Sequence, residues 1–188
     1  MEQPAPGQAK LVPSEHEHGL TPDGEGWFVV NAAATVWRRL EEHGDWCTFE
    51  GAGEARFKEV GINLHVLEPG QPNGKYHGES GQEDFLVLSG ECIVVIDGEE
   101  RHLRAWDFVH CPSLTEHIFV GAGDGPCLLL MVGARPEIGG ILYPVSEAAA
   151  RHGASVAVAT TEPAEAYAGR TPRFEIPARR DVLPGAPH

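Results

Sequence analysis

The sequence predicts an all-β protein, a sandwich or barrel with short flanking helices and Pro-rich tails. Between residues 55 and 132, short apolar segments recur about every eight to twelve residues, and a turn signal closes each of them. Almost no helical pattern separates these segments, which argues against a parallel βαβ sheet. Glycine (23 residues) and proline (15 residues) are frequent, and both favour turns over long helices.

Length and charge indicate the domain organisation and the partners. A chain of 188 residues suits one domain with tails, which buries roughly 70% of its unfolded surface. We expect an N-terminal leader and flanking segment at 1–54, a barrel at 55–134 and a C-terminal extension at 135–188. The formal net charge is −14, and from residue 135 onward six Arg balance six acids, so the excess lies before that residue. Such a surface repels phosphate backbones, and no nucleic acid partner is expected.

Cysteine usage and apolar patterning favour a cytoplasmic protein. The four cysteines, at 47, 92, 111 and 127, include no Cys-x-x-Cys pair, which favours reduced thiols over a disulfide framework or a Cys-type zinc site. The segment MEQPAPGQAK contains no apolar run typical of a signal peptide. No stretch approaches the ~18 consecutive apolar residues of a membrane span, so no membrane partner is expected.

The N-terminal segment predicts little regular structure. Residues 1–25 are interrupted by Pro and Gly and predict a mobile leader, whereas WFVVN at 27–31 predicts a short strand. Asn31 could cap a helix that runs through Leu40, because apolar side chains recur on one face, and Gly44 could end it.

The central region predicts about seven strands. The segment RFKEVGINLHVLEPG alternates its residues between two faces, and Asn63 and His65 share one of them. These two side chains either line the pocket or face the solvent. Asp97-Gly98 predicts a tight hairpin, because Gly readily takes the positive φ that such turns need.

Short helices are predicted in the C-terminal extension. One lies within 146–153 and has a serine cap, and another lies within 163–169 and has Pro in its first turn. The final segment, TPRFEIPARRDVLPGAPH, is Pro-rich and predicts a tail that hugs the surface or is disordered.

Potential metal ligands cluster in residues 76–90, YHGESGQEDFLVLSG, which contain His77, Glu79 and Glu83. A second segment, WDFVHCPSLTEH, supplies His117. Imidazole and carboxylate groups bind divalent metals where thiolates are not used. In an extended chain, residues two apart point to the same side, so His77 and Glu79 can face one point. The sequence therefore predicts a metal-binding β-barrel.

These two segments resemble the paired motifs of the cupin superfamily. The first family motif reads Gly, His-x-His, three or four residues, Glu, six residues and Gly. The corresponding residues here are Gly70, His77-Gly78-Glu79, Glu83 and Gly90. The spacing from Glu83 to Gly90 is the family's, but Glu79 stands where the family usually has its second histidine.

The second family motif reads Gly-Asp, Pro-x-Gly, two residues, His, three residues and Asn. The corresponding residues here are Asp107, Pro112-Ser113-Leu114, His117 and Gly121. Leu114 and Gly121 therefore replace the Gly and the Asn of the family, and the strand pattern extends the match over residues 55–134.

The resemblance implies a jelly-roll β-barrel that holds a metal ion through His77, Glu83 and His117. Glu79 is the expected fourth ligand; alternatively it orients His77 or acts as a general base beside it. Iron, manganese or zinc suits this donor set. A cupin that has lost its metal would instead keep the two histidines as hydrogen-bonded residues of the barrel.

The resemblance also implies a metalloenzyme that acts on a small organic molecule and forms a homodimer. Dioxygenase chemistry is the leading hypothesis, because two imidazoles and one carboxylate leave coordination positions open at iron(II). A non-redox isomerase or lyase, and a non-catalytic small-molecule-binding cupin, are the alternatives.

Residues beside the motifs have simpler interpretations. Phe85, Val87 and Phe119 are expected in the core rather than in substrate recognition. His110 and Cys111 lie close to the second motif, and Cys111 is either a ligand or, as is usual for a free cysteine, a small buried hydrophobe.

Overall fold

The computed structural model describes residues 7–185, whose fold is the all-β barrel that the sequence predicts. The strands are β1 (Lys10–Pro13), β2 (Leu20–Asp23), β3 (Trp37–Leu40), β4 (Gly44–Thr48), β5 (Val60–Leu67), β6 (Gly78–Glu79), β7 (Glu83–Ser89), β8 (Glu91–Ile96), β9 (Glu99–Arg104), β10 (Phe108–Cys111), β11 (His117–Ala122), β12 (Cys127–Ala134), β13 (Ile141–Leu142) and β14 (Phe174–Ile176). The helices of this part of the chain are short, namely α1 (Glu147–Ala150), α2 (Pro163–Ala166) and 3-10 turns at Ala32–Ala34, Gly53–Ala55 and Arg180–Val182.

Two sheets enclose the barrel interior. One has seven strands in the order β10-β7-β12-β5-β4-β3-β14, and the other has three in the order β11-β8-β9. Apolar side chains of both sheets meet between them in one buried cluster, formed by Leu67, Phe85, Val87, Cys92, Val94, Cys111, Phe119, Cys127 and Leu129. Because each large apolar side chain contributes about 1.5–3 kcal/mol on burial, this cluster holds the two sheets together.

The opposite face of the seven-stranded sheet is covered by the C-terminal segment. In β5, Leu64 and Val66 point to this face, where they pack with Ile176 and Val182. β14 also pairs with β3 and forms the edge of the sheet. Of the two alternatives expected for this segment, the structure shows the surface-hugging one up to residue 185, where Ile176 and Val182 are buried; residues 186–188 lie outside the described part.

The expected mobile leader is also corrected where the structure describes it. β1 and β2 pair as an antiparallel hairpin, since the apolar residues near 11 and 20 suffice for a short ladder. Residues 1–6 of that prediction lie outside the described residues. The strand predicted at 27–31 is absent from the observed strands, and Trp27 makes only an isolated parallel bridge with Gln8.

The helix predicted from Asn31 to Leu40 is wrong. The Asn31 side chain accepts a hydrogen bond from the Ala33 N–H, as a cap should, but only the 3-10 turn Ala32–Ala34 follows. The chain then enters β3, which pairs with β4 and buries Trp37 completely. Burial of this ring in the sheet outweighs the weak helical preference of the segment, and Gly44 opens β4 instead of ending a helix.

Local turn signals were predicted more accurately. Asp97 and Gly98 both have positive φ, 48° and 79°, between β8 and β9. The Ser146 hydroxyl accepts from the Ala149 N–H and caps α1, and Pro163 is the first residue of α2. No helix among residues 7–185 has the length and apolar character needed to cross a membrane.

Candidate metal centre

Two histidines from distant segments lie directly opposite each other. His77 precedes β6, His117 opens β11, and the two residues form an isolated antiparallel bridge. The His77 N–H donates to the His117 carbonyl at 3.2 Å, and the His117 N–H donates to the His77 carbonyl at 2.8 Å. Because directly opposed residues of an antiparallel pair project to the same side, the imidazole rings lie together, with centroids 5.1 Å apart.

Both imidazoles are held in the tautomer that leaves Nε2 free. The His77 Nδ1 lies 2.6 Å from the Lys75 carbonyl oxygen, and the His117 Nδ1 lies 2.9 Å from the Thr115 carbonyl oxygen. A carbonyl oxygen can only accept, so each Nδ1 carries the ring proton and each Nε2 keeps its lone pair. A backbone acceptor behind the ring is the arrangement that orients metal-binding histidines.

Glu83 is the third member of the group. It is the first residue of β7, its side chain is 16% exposed, and its Oε2 lies 3.5 Å from the His117 Nε2. One potential ligand atom from each of His77, Glu83 and His117 lies within 4.8 Å of the other two. Adjacent ligand atoms around an ion with bonds of about 2.1 Å are roughly 3.0–3.4 Å apart. The three side chains could therefore hold one metal ion.

Burial disfavours charge on all three groups. Desolvation lowers the pKa of His117 to about 4, with a smaller contribution from His77, and it also lowers the pKa of His77. Desolvation raises the pKa of Glu83 to about 8, with a smaller contribution from the negative charge of Glu79. At neutral pH, neutral imidazoles therefore face a mostly protonated carboxyl group, and these contacts are not ion pairs.

This donor set fits a divalent cation. Metal ligands must be deprotonated, and both histidines already are at pH 7 because their pKa values are lowered. Ionising a buried carboxyl is costly unless a positive charge lies beside it. A cation between the two Nε2 atoms and Glu83 would supply that charge.

Glu79 lies beside this cluster, in β6, whose partner is β13 of the C-terminal extension. Its Oε1 is 3.8 Å from the His77 Nε2, and its side chain is 39% exposed. The potential ligand atoms that lie within 4.8 Å of one another belong to His77, Glu83 and His117, and not to Glu79. Ligation by Glu79 therefore stays a prediction, as does its alternative role as a general base.

Comparison with known proteins agrees with the motifs. The family model described as Cupin domain matches residues 63–133, which include all four predicted ligand residues. Residues 63–133 are thus similar to a cupin domain. None of the curated proteins matches the sequence.

Several solved structures align with part of this chain. The polyketide cyclase RemF from Streptomyces resistomycificus aligns with a TM-score of 0.51 and 14% identity, covering 61% of this chain and 84% of that chain. A Cupin 2 conserved barrel domain protein from Salinispora arenicola aligns with a TM-score of 0.45 and 21% identity, covering 59% and 89%. A sugar phosphate isomerase from Silicibacter pomeroyi aligns with a TM-score of 0.44 and 26% identity, covering 51% and 63%. The chain thus spans less than two thirds of that isomerase, and the likeness to the cyclase shows a common fold.

The two departures from the second cupin motif have structural explanations. A Cβ at Gly121 would clash with the Glu68 carbonyl oxygen, so only glycine fits where the family has Asn. Leu114 has a left-handed φ of 66°, a conformation that glycine takes without strain. Its N–H donates to the Glu79 carbonyl at 2.6 Å, so this turn ties the strand of Glu79 to the segment that carries His117.

Aromatic side chains lie beside the cluster of His77, Glu83 and His117. The Phe85 ring lies 5.0 Å from the His117 ring and 4.5 Å from the Phe119 ring, and both phenylalanines are buried as predicted. The Tyr143 ring lies 5.8 Å from the His77 ring and is 4% exposed. Tyr143 carried no signal in the sequence, because it lies outside both motifs and reaches the site through the pairing of β13 with β6.

Cys111 and His110 do not join the cluster. Cys111 belongs to the apolar core, and burial raises the pKa of its thiol to about 12, so it behaves as a small hydrophobe. His110 points to the other side of β10, where its Nδ1 lies 2.6 Å from the Asp84 Oδ1.

Proposed function

We propose that this cupin domain is a metal-dependent enzyme that acts on a small organic molecule, with dioxygenase chemistry as the favoured reaction class. The observation that carries the proposal is the convergence of the ligand atoms of His77, Glu83 and His117 to within 4.8 Å. Iron, manganese and zinc are the candidate metals, because imidazole and carboxylate donors suit all three.

The donor set is the main argument for oxygen chemistry. Two histidines and one carboxylate leave coordination positions open, which is typical of non-haem iron(II) oxygenases. A bound iron(II) ion would supply the redox chemistry with dioxygen and substrate. The residues of this chain would hold the ion, orient the substrate and exclude water.

The surroundings of the cluster support these roles. Phe85 and Phe119 form an apolar wall beside His117 and keep bulk water away from it. Glu79, which is partly exposed beside the His77 Nε2, can take a proton from an incoming hydroxyl group. Tyr143 packs against His77 and can orient a substrate in the same space.

Oxygen uptake tests this proposal. Metal-free protein is loaded anaerobically with iron(II), manganese(II) or zinc(II), and uptake is followed after addition of catechols, thiols or flavonoid-like compounds. We expect uptake with iron(II) that is lost in His77→Ala and kept in His110→Ala, which removes a histidine on the outer side of β10. Absence of uptake with every metal and substrate would count against dioxygenase chemistry.

A non-redox isomerase or lyase is the second candidate, favoured by the position of Glu79. Its carboxylate stands next to the cluster without belonging to the mutually close ligand atoms, as a proton-transferring base would. This candidate predicts turnover with zinc(II) in the absence of oxygen, and Glu79→Gln should abolish that turnover without loss of bound metal. Turnover that requires oxygen would exclude it.

A further inference from the structure

A cavity of about 310 Å³ opens on the inner face of the seven-stranded sheet. Asn63 and His65 line it, which decides between the two orientations that the sequence left open. Asn63 pairs with Met131, and Met131 pairs with Phe85, two residues after Glu83 in β7. Paired residues project to the same face, and strands are about 4.8 Å apart. The cavity therefore lies on the same face as Glu83, and two strand spacings, about 10 Å, separate Asn63 from β7.

The charge of the cavity wall is opposite to that of the chain. Arg170 and Arg173 line the cavity, and no acidic residue does, although the chain has a net charge of −14. Among residues 7–185, neither guanidinium has a carboxylate partner, and Arg170 lies over the Tyr167 ring at 5.2 Å. Two free cations beside one cavity favour an anion, because guanidinium groups match carboxylates and phosphates in geometry.

Uncharged hydrogen-bonding groups complete the wall. Asn63, Asn73 and His43 line the cavity together with the two arginines. His43 is 7% exposed, and its Nδ1 is buried without a hydrogen-bond partner in the described chain. A buried polar atom without a partner is uncommon, so this wall retains hydrogen-bonding capacity that the protein itself does not use.

The C-terminal extension connects this cavity to the metal centre. Tyr167, which lines the cavity, packs edge-on against Tyr143 with ring centroids 5.8 Å apart, and Tyr143 packs against His77. Arg170 and Arg173 follow Tyr167 in the same segment. One stretch of chain therefore carries both arginines and Tyr167, and Tyr167 contacts the tyrosine that packs against His77.

We propose that Arg170 and Arg173 bind the anionic group, a carboxylate or a phosphate, of a small polar substrate whose reacting end lies at His77, Glu83 and His117. The inference rests on the proposed function for the reacting end, but the anion site itself depends only on the cavity. A volume of about 310 Å³ is at the lower end for ligand sites, so the substrate is a small metabolite.

Calorimetric titration of chelator-treated protein tests the anion site, with inorganic phosphate and malonate as separate probes. We expect at least one probe to bind, with weaker binding at higher salt because both arginines are exposed. The tighter probe distinguishes phosphate from carboxylate recognition. The double variant Arg170→Gln/Arg173→Gln should bind at least about tenfold more weakly. The control Arg101→Gln, which removes an exposed arginine of β9 paired with Glu99, should bind like wild type.

Two outcomes would overturn the proposal: neither probe binds the wild-type protein, or the double variant binds as tightly as Arg101→Gln. Failure of the proposed function looks different. His77→Ala should lose metal and keep anion binding, whereas the double arginine variant should keep its metal. If the protein binds no metal but loses anion binding only in the arginine variant, the anion site is supported and the proposed metalloenzyme is refuted.

Discussion

Replacement of Glu83 by glutamine should stabilise the metal-free protein while removing a proposed metal ligand. Burial raises the pKa of Glu83 from its ordinary 4.5 to about 8. Because the folded-state pKa is raised, the contribution of this carboxyl to the free energy of unfolding is most favourable below pH 4.5. That contribution falls as pH rises from 4.5 through 8. The cost of keeping this carboxyl protonated in the folded protein grows as pH rises above 4.5 and is about 3 kcal/mol at pH 7. Glutamine is neutral and avoids that cost.

Urea denaturation of chelator-treated protein measures the effect. Glu83→Gln should raise the free energy of unfolding by about 3 kcal/mol at pH 7 and by little at pH 4.5. Asp84→Asn is the matched control, because the hydrogen bond from His110 lowers the pKa of Asp84. Asp84 therefore stabilises the protein above pH 3.8, and its replacement should lower stability at pH 7. If Glu83→Gln gives no gain at pH 7, or the same gain at both pH values, the carboxyl does not carry the burial cost assigned to it.

Three further predictions concern the metal and the motif departures. Metal binding at pH 7 should release about one proton, from Glu83, and almost none above pH 9. Titration calorimetry in buffers of different ionisation enthalpy measures the number of protons released. Proton release that does not depend on pH would contradict this prediction. Leu114→Gly should raise the free energy of unfolding by up to about 1 kcal/mol, since it relieves the left-handed strain; a loss in urea denaturation would be the opposite result. Gly121→Asn should cost about 2 kcal/mol or more because its Cβ meets the Glu68 carbonyl, whereas Gly125→Asn, with nothing within 4 Å, should be nearly neutral.

Local signals in the sequence predicted the central barrel well. Alternating apolar residues define strands through a period of two, and Asp97-Gly98 specifies its hairpin through backbone conformations that few other residues adopt. The candidate ligand residues could be recognised because metal chemistry restricts the types and spacing of ligand residues. His77, Glu83 and His117 therefore came together as predicted.

The flanks were harder to predict because their structure depends on distant contacts. Trp37 lies in a strand only because the sheet and the C-terminal segment bury its ring. The pairing of β13 with β6, which brings Tyr143 to His77, joins segments that are more than 60 residues apart. No local pattern encodes such a pairing. For the same reason Arg170 and Arg173 carried no signal before their positions around the cavity were known.

Anomalous diffraction from a crystal grown with manganese(II) or zinc(II) tests the metal centre most directly. We expect one peak at bonding distance, about 2.0–2.3 Å, from the Nε2 atoms of His77 and His117 and from a Glu83 oxygen. A peak in the wild-type protein that disappears in His117→Ala and persists in His110→Ala would establish the site. An anomalous map with no peak between these three side chains, from protein crystallised with excess metal, would contradict it.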